Sequence, residues 1–341
     1  PNGVILLDGE ARIEWCNDTA AAHLGLDAVK DRMQHVVHLV RDPVFARYFS
    51  QSDHASEAVI EGRSSSAVSS QKLSVQLHAY GEGRSLLLTR DITAVAQAEA
   101  MRRDFVANVS HEIRTPLTVL SGFVETLQTL PLDEQERGRY LDLMAVQSQR
   151  MQDLVADLLT LSQLEGSLPP GINQQVLLPE LMSQIESDAR ALSSLMAGLD
   201  ATQTQEIIFD PSPDWALLGS RSELQSAVSN LVSNAVRYTP LGGKIHARWW
   251  RQSDSCIFAV TDTGPGIAPE HLPRLSERFY RVDRSRSRET GGTGLGLAIT
   301  KHVAQRHGGE LRIESQVGQG STFMLVLPMS RCVVANAPVE T

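Results

Sequence analysis

Runs of apolar residues and their spacing divide the chain into regions, and the first of these has the pattern of strands. Short apolar runs predict strands at residues 4–7 and 12–15. The segment NDTAAAHLGL that follows predicts a helix capped by one of its first two residues. Two more strand-like runs, at residues 73–80 and 85–89, flank the turn GEG. This order of elements predicts a small α+β domain over residues 1–93.

The second region, residues 94–166, has apolar residues spaced three and four apart, which is the pattern of two amphipathic helices. They are Val106, Val109, Ile113, Pro116 or Leu117, Leu120, Val124 and Leu127, then Leu141, Met144, Met151, Val155, Leu158 and Leu161. The polar segment LPLDEQERG separates the two helices, so the region predicts a helical hairpin. A single hairpin has a wide apolar face, which a dimer would bury in a four-helix bundle.

A linker with two prolines and two glycines, residues 166–171, leads into the last region. That region, residues 172–330, alternates strands with helices. Its clearest strands are predicted at residues 244–250, 256–262, 311–314 and 322–327. Residues from about Ser330 onward carry no pattern and are expected to be loose.

The segment FVANVSHEIRTPL places a histidine on the outer face of the first hairpin helix. Counted from Val106 as heptad position a, His111 falls at position f, which points away from the bundle core. Glu112 lies beside it, and Thr115 follows one turn later. Pro116 removes a backbone hydrogen bond and is expected to bend the helix. A lone histidine at such a position is usually an ordinary exposed residue of a solvated helix. Here, however, the adjacent carboxylate can hold the tautomer of the imidazole and accept its proton.

Two asparagines stand one turn apart in the predicted helix ELQSAVSNLVSNAVRYTP. Asn230 and Asn234 share a face, with Arg237 and Tyr238 just beyond. Burying a side-chain amide costs free energy unless a partner binds it. Amide oxygens suit a Mg²⁺ ion whose charge is already neutralised by phosphates. The alternative is a polar stripe at a helix surface.

The motif DTGPGI follows the apolar run CIFAVT. Asp262 ends a buried strand, where an unpaired carboxylate is costly, and an adenine amino group would be a good partner for it. Gly264 and Gly266 allow the backbone to approach a base closely. The alternative is a simple turn between strand and loop.

The basic segment LSERFYRVDRSRS precedes a run of glycines. Arg278 and Arg281 flank two aromatic residues, and Arg284, Arg286 and Arg288 continue the run. Such a run is usually a solvated face. Because it stands between two glycine motifs, it is expected to form a lid that meets the γ-phosphate of a nucleotide.

The motif GGTGLGLAI leads directly into a predicted helix, and glycine backbone at a helix N-terminus forms an anion site. A Rossmann motif is excluded because the spacing is G-x-G-x-G and no strand precedes it, and a Walker loop is excluded because GK[ST] is missing. GQGSTF, at residues 318–323, completes the set as a turn before the last strand.

Together these motifs resemble those of sensor histidine kinases, in that family's order, with SHEIRTPL similar to the phosphoacceptor box. The resemblance implies that His111 is the phosphoacceptor on a dimeric four-helix bundle and that Glu112 is its general base. It implies that Thr115 positions water for dephosphorylation of the partner. It also assigns Arg281 to stabilisation of the transferring phosphoryl group.

The same resemblance implies an α/β sandwich domain of the GHKL type that binds ATP and Mg²⁺. Asn234 would ligate Mg²⁺ with Asn230 close by, Arg237 would lie near phosphate, Tyr238 beside adenine, and Asp262 would recognise adenine. The other implied nucleotide contacts are Gly264, Gly266, Ile267, Gly292, Thr293, Gly294, Leu295, Gly296 and Leu297. Arg237 stands where lysine is commoner in the family, which keeps the charge but changes hydrogen-bond geometry.

The first region resembles a PAS sensor domain, and TRDIT is a typical ending for one. WCNDTAAAHLGL and LVRDPVFARYF are similar to segments of phosphate-regulon sensor kinases. This resemblance implies a homodimer, a PhoB-like response regulator receiver domain as partner, and a parent protein anchored in the inner membrane with this portion in the cytoplasm. The start at Pro1, without methionine, fits a fragment of a longer protein.

Composition narrows the function classes. The net charge of −9 makes a nucleic-acid partner unexpected. The 3 cysteines lie far apart, which argues against a disulfide framework or zinc site, and no run approaches ~18 apolar residues. Cys16, His23, His35 and His38 are too scattered to favour a metal site over ordinary packing.

Two alternatives stay open. An ATPase of the gyrase, Hsp90 and MutL class would share the nucleotide motifs but would need no exposed histidine in a bundle. A scaffold that dimerises and transfers nothing would need neither His111 nor an intact nucleotide site.

Overall fold

The computed structural model of the chain describes residues 2–51, 54, 56–62, 71–81, 83–198, 203–282 and 292–334. The chain divides into two compact units, Pro1–Ser110 and His111–Thr341. Among the described residues, no helix combines the length and the apolarity that crossing a bilayer requires.

The first unit is built on a five-stranded antiparallel sheet with the strand order β2-β1-β5-β4-β3. Its strands are β1 (Gly3–Leu7), β2 (Ile13–Cys16), β3 (Ala58–Gly62), β4 (Gln71–Tyr80) and β5 (Arg84–Asp91). Its short helices are α1 (Asp18–Leu24), α2 (Val36–Val40) and α3 (Pro43–Phe49). Side chains alternate along β1, so that Ile5 and Leu7 face the core and share it with Phe45 of α3.

The predicted strands and the predicted hairpin of this unit all form. Helix α1 is capped by Asn17, whose Oδ1 accepts a hydrogen bond from the Ala20 amide at 2.9 Å. β4 pairs antiparallel with β5, as expected for a hairpin. β3 was not predicted, because its short apolar alternation becomes a strand only by pairing with β4.

The residues considered as a metal set make packing contacts in this unit. Cys16 is buried in the core. His23 Nδ1 lies 2.9 Å from Thr89 Oγ1, and burial lowers the pKa of His23. His35 and His38 stack with ring centroids 4.9 Å apart.

The helical hairpin consists of α4 (Thr93–Thr129) and α5 (Glu134–Gly166). Asp133 Oδ1 accepts from the Glu136 amide at 2.7 Å, and Glu136 Oε2 accepts from the Asp133 amide at 3.1 Å. This capping box starts α5. The predicted polar break LPLDEQERG is therefore wrong in its second half, where EQERG is already helical.

Both hairpin helices keep apolar side chains exposed along the predicted seam. Val106 and Leu117 of α4 and Leu141 of α5 are each more than half exposed, at 58%, 52% and 53%. An uncovered apolar row of this kind is what a second hairpin would bury. Pro116 lies inside α4, which continues past it, and the bend expected there stays a prediction.

The remainder of the second unit is an α/β sandwich. Its main sheet has the order β11-β12-β10-β9-β7, and a smaller sheet has the order β13-β8-β6. The elements in chain order are β6 (Gln175–Leu177), α6 (Leu178–Ala197), β7 (Glu206–Phe209), β8 (Trp215–Leu218), α7 (Arg221–Tyr238), β9 (Lys244–Gln252), β10 (Ser255–Asp262), α8 (Gly296–Arg306), β11 (Glu310–Gln316), β12 (Gly320–Pro328) and β13 (Cys332–Val334). The four predicted strands correspond to β9, β10, β11 and β12. The core lies between α7, α8 and the main sheet, where Leu231, Phe258 and Ile299 are fully buried.

The prediction of a loose end after Ser330 is wrong for residues 332–334. They form β13, which pairs antiparallel with β8 from Cys332↔Leu217 to Val334↔Trp215. The partner strand lies more than a hundred positions earlier in the chain, and no local pattern announces such a pairing. Cys332 is buried as a result.

Candidate active site

A cavity of about 540 Å³ opens in the second unit, between α7, the end of β10 and the glycine-rich segment before α8. Most of the predicted nucleotide residues line it: Asn230, Asn234, Arg237, Tyr238, Asp262, Gly266, Ile267, Arg281, Gly292, Thr293, Gly294, Gly296 and Leu297. Gly264 and Leu295 belong to the same loops but are not among the lining residues. The full lining runs from Asp153 to Phe323, so residues up to 170 positions apart along the chain converge on one space.

Helix α7 brings the two asparagines to the cavity because its opposite face is apolar. Leu224, Leu231 and Val232 are buried against the core, so the amides at Asn230 and Asn234 are left half-buried on the cavity side. A side chain at Gly296 would put its Cβ 2.8 Å from Asn230 Oδ1. The start of α8 therefore approaches α7 as closely as it does only because position 296 is glycine.

Asp262 ends β10 with its carboxylate almost fully buried, at 5% exposure. Its Oδ1 accepts a hydrogen bond from the Gly264 amide at 2.8 Å. Burial nevertheless raises the pKa of Asp262, because hydrogen bonds from Gly264 and Ser321 do not fully replace water. A carboxylate kept in this state at the floor of a cavity is a strong acceptor for a ligand amino group.

The DTGPGI loop is fixed against the turn between β11 and β12. Gly266 has a φ of +69°, and a Cβ there would lie 2.0 Å from the Gln316 carbonyl oxygen. The Ile267 amide donates to Ser315 Oγ at 2.8 Å. The loop is therefore a preformed edge of the cavity and needs glycine at position 266.

The segment after β10 holds the glycine run from the other side. Phe279 has a left-handed backbone, with a φ of +62°, and its amide donates to the Gly294 carbonyl at 2.9 Å. The guanidinium of Arg281 donates to the Gly292 carbonyl. Tyr280 is anchored by its hydroxyl, which lies 2.7 Å from His271 Nδ1. The arginines predicted to form the rest of a lid, at positions 284, 286 and 288, lie outside the described residues.

His111 is exposed on α4, as its heptad position predicted. Beside it, the carboxylate of Glu112 lies 3.6 Å from Arg281 and 3.7 Å from Arg150 of α5. Thr115 is exposed, and its hydroxyl donates to the His111 carbonyl at 3.1 Å. Of the predicted acceptor pair, Glu112 therefore contacts the predicted phosphate arginine, Arg281.

Sequence reasoning missed three residues of α5 that belong to this site. Arg150 contacts Glu112, whereas Asp153 and Asp157 line the cavity. Spacings of three and four place all three on one polar face of α5. That polar stripe is a signal of a second functional face, although the apolar seam is the stronger pattern of the helix.

The end of α5 is clamped by Arg306 of α8. Its guanidinium pairs with Glu223 at 3.0 Å and donates to the carbonyls of Leu164, Ser167 and Leu168 at 2.7–2.8 Å. The Leu164 carbonyl lies in the last helical turn, where it has no partner within the helix, and Ser167 and Leu168 follow the helix, so one side chain satisfies three carbonyls. Arg306 thus ties the hairpin to the sandwich.

We expect Arg306→Ala to destabilise the second unit by about 2–3 kcal/mol, because Glu223, which is nearly buried, and the carbonyls at the end of α5 would lose their hydrogen-bonding partner. Urea unfolding would measure this loss, and proteolysis should cut faster within residues 167–174. The control is Arg312→Ala, which removes an exposed pair with Glu310 and should change neither readout. Equal effects of the two variants would contradict the clamp.

Three family models match successive parts of the chain. A PAS domain model matches residues 1–58, the His Kinase A (phospho-acceptor) domain model matches residues 101–167, and the histidine kinase-, DNA gyrase B- and HSP90-like ATPase model matches residues 219–331. Together they confirm the expected fold class: an α+β PAS domain, a helical phosphoacceptor region and an ATP-using α/β sandwich.

Curated relatives extend over nearly the whole chain. The phosphate regulon sensor protein PhoR of Pseudomonas aeruginosa is 47% identical over 325 residues, which cover 94% of this chain and 71% of that protein. The PhoR protein of Haemophilus influenzae is 32% identical over 336 residues, 98% of this chain and 76% of that protein. In fold, the chain is similar to the histidine kinase ThkA, crystallised with the response regulator protein TrrA, at a TM-score of 0.50, 19% identity and coverage of 96% and 95%. The chain belongs to the sensor histidine kinases, within the family of the phosphate regulon sensor proteins.

Proposed function

We propose that this protein transfers the γ-phosphoryl group of ATP to His111 and then to an aspartate of a response regulator. One observation carries the proposal. The exposed imidazole of His111 has beside it the Glu112 carboxylate, which lies 3.6 Å from Arg281 in the wall of the nucleotide cavity. The residue next to the proposed phosphoacceptor, Glu112, therefore contacts a cation of the nucleotide cavity.

The residues of the cavity fit an adenine nucleotide with a divalent cation. The buried Asp262 carboxylate suits the adenine amino group, and Tyr238 and the DTGPGI loop form the walls around the base. Arg237 and Arg281 supply positive charge for phosphates. The amide oxygens of Asn234 and Asn230 suit Mg²⁺, and that ion when bound would neutralise charge on the phosphates.

The chemical step follows from these positions. A ring nitrogen of neutral His111 attacks the γ-phosphorus, a P–N bond forms, and the bond to the bridging oxygen of ADP breaks. Glu112 takes the proton that the imidazole loses, and Arg281, which already contacts Glu112, stabilises charge on the transferring group. The phosphoramidate product has a high transfer potential, which suits relay to an aspartate.

The proposed oligomeric state, domain boundaries, partner and location follow from the family and from the exposed seam of the hairpin. The exposed seam is buried in a homodimer, whose subunits comprise a sensor domain at residues 1–93, the hairpin at 94–166 and the ATP-binding domain at 172–330. A PhoB-like receiver domain is the partner, and Thr115 positions water for its dephosphorylation. Signalling in phosphate starvation and anchoring of the parent protein in the inner membrane complete the proposal.

The test is incubation of the chain with γ-labelled ATP and Mg²⁺. Label on the protein should be acid-labile and alkali-stable, as expected for phosphohistidine, and should pass to a receiver domain. Hydrolysis of ATP without labelling would instead indicate an ATPase of the gyrase, Hsp90 and MutL class. Absence of nucleotide binding would favour a scaffold.

A further inference from the structure

The hairpin helix α5 forms one wall of the nucleotide cavity. Asp153, Ala156 and Asp157 line it together with residues of the sandwich. This wall adjoins the glycine segment, residues 292–295, where the phosphates of the nucleotide are proposed to lie. Two carboxylates on that side are unexpected in a site built for a polyanion.

Asp157 makes a direct contact with the glycine segment. Its Oδ2 accepts a hydrogen bond from the Thr293 hydroxyl at 2.5 Å. The same hydroxyl accepts from the Leu295 amide at 3.2 Å, so that a chain of hydrogen bonds runs from α5 to the start of α8. The conformation of the glycine segment is therefore tied to the docking of α5.

The contact places a negative charge in a poorly solvated position. Burial raises the pKa of Asp157, with the nearby Asp153 charge acting in the same direction, whereas the Thr293 hydrogen bond and the Arg237 charge lower it. Arg237 is one of the cations that the phosphates need. A charged Asp157 both repels the phosphates and competes with them for this cation.

Other contacts hold α5 in this position. Glu165 near the end of α5 pairs with Arg278, and its Oε1 lies 3.7 Å from His302 Nε2. Arg306 clamps the carbonyls of Leu164 and Ser167, on either side of Glu165. The carboxylate of Asp157 is thus held at the cavity by a docked interface that reaches well beyond Asp157 itself.

We propose that Asp157 is a specificity-determining residue of the nucleotide site, whose charge opposes the triphosphate whenever α5 is docked against the glycine segment. The proposal rests on the function proposed above. Because coupling is reciprocal, bound triphosphate weakens the docking of α5 by the same factor.

The test is the affinity of the full chain for adenosine, MgADP and MgATP, measured by calorimetry on the wild type and on Asp157→Asn. Asparagine keeps the shape and the acceptor for Thr293 and removes the charge. We expect MgATP to bind about three- to tenfold more tightly to the variant, MgADP to gain less, and adenosine to bind equally well. A gain in affinity that increases with the number of phosphates would show that the charge of Asp157 causes the effect.

Matched variants separate this effect from general damage. Asp142→Asn removes the same charge from an exposed position of α5 about 22 Å away along the helix, and should leave all three affinities unchanged. Asp157→Glu should behave as the wild type. Asp153→Asn, on the same wall, should give a smaller gain and covers the case in which Asp157→Asn does not fold.

The outcomes distinguish this inference from the proposed function. Failure of the wild type to bind MgATP or to be labelled at His111 would overturn both. Normal labelling of the wild type, with MgATP affinity of Asp157→Asn equal to or weaker than that of Asp142→Asn, would overturn the role of Asp157 alone.

Discussion

Replacing His111 by alanine is expected to reduce protein labelling from γ-labelled ATP to background, while MgATP affinity stays within about twofold of the wild type. The imidazole is exposed on α4, and it does not line the nucleotide cavity. Its loss therefore removes the acceptor nitrogen and leaves the donor site intact. An effect on rate of at least about 10³-fold is expected when the attacking group itself is removed.

Filter-binding of acid-labile label and calorimetry with MgATP would measure the two quantities on the same preparation. His78→Ala is a suitable control, because His78 is an exposed histidine of β4 in the first unit. Label that survives in His111→Ala would mean that another residue accepts the phosphoryl group, and the proposed mechanism would be wrong.

Replacing Asp262 by asparagine is expected to weaken ATP binding by about 10- to 100-fold. A hydrogen bond to a charged group contributes about 1.5–3 kcal/mol, and the carboxylate is the only acidic group among the described residues at the end of β10. Asparagine can keep the contact with the Gly264 amide but offers adenine a weaker acceptor. Loss of autophosphorylation should follow the loss of affinity and be restored partly by high ATP concentration.

The same variant should be more stable without nucleotide at neutral pH. Burial raises the pKa of Asp262 above its usual 3.8, so the folded state holds the proton more tightly than the unfolded state does. Asp262 therefore leaves stability unchanged below the unfolded-state pKa, and lowers it as pH rises through the folded-state pKa. We expect Asp262→Asn to raise the unfolding midpoint by roughly 2–4 °C, equivalent to ~1 kcal/mol, at pH 7 and by much less at pH 4.

Thermal unfolding at the two pH values would check this, with Asp254→Asn as the control, since Asp254 is an exposed aspartate on the same domain. Parallel losses of stability and of binding would contradict the account, because they would make Asp262 a structural residue. A gain of stability together with a loss of ATP binding would instead identify Asp262 as a residue that serves the ligand at the expense of stability.

Much of the local structure could be predicted because short-range rules fix it. Asn17 and the capping box of Asp133 start helices wherever the chain places them, although the second was recognised only in the structure. The strand that ends at Asp262 is visible as an apolar run. By contrast, β3 and β13 are short, and each is a strand only because a distant partner offers it hydrogen bonds.

The sequence by itself determined which chemical groups the protein carries, and it determined the helix face on which the proposed phosphoacceptor and the two asparagines lie. His111 points outward because the apolar seam of α4 repeats every three and four residues, and Asn230 and Asn234 share a face for the same reason. Tertiary structure alone decided that the hairpin takes part in the nucleotide site. The contacts that do this, Glu112 with Arg281 and Asp157 with Thr293, join residues far apart in the chain, 136 positions in the second case. Periodicity fixes the face of a helix, but the packing of one element on another is set by the whole surface of both, which no local pattern encodes.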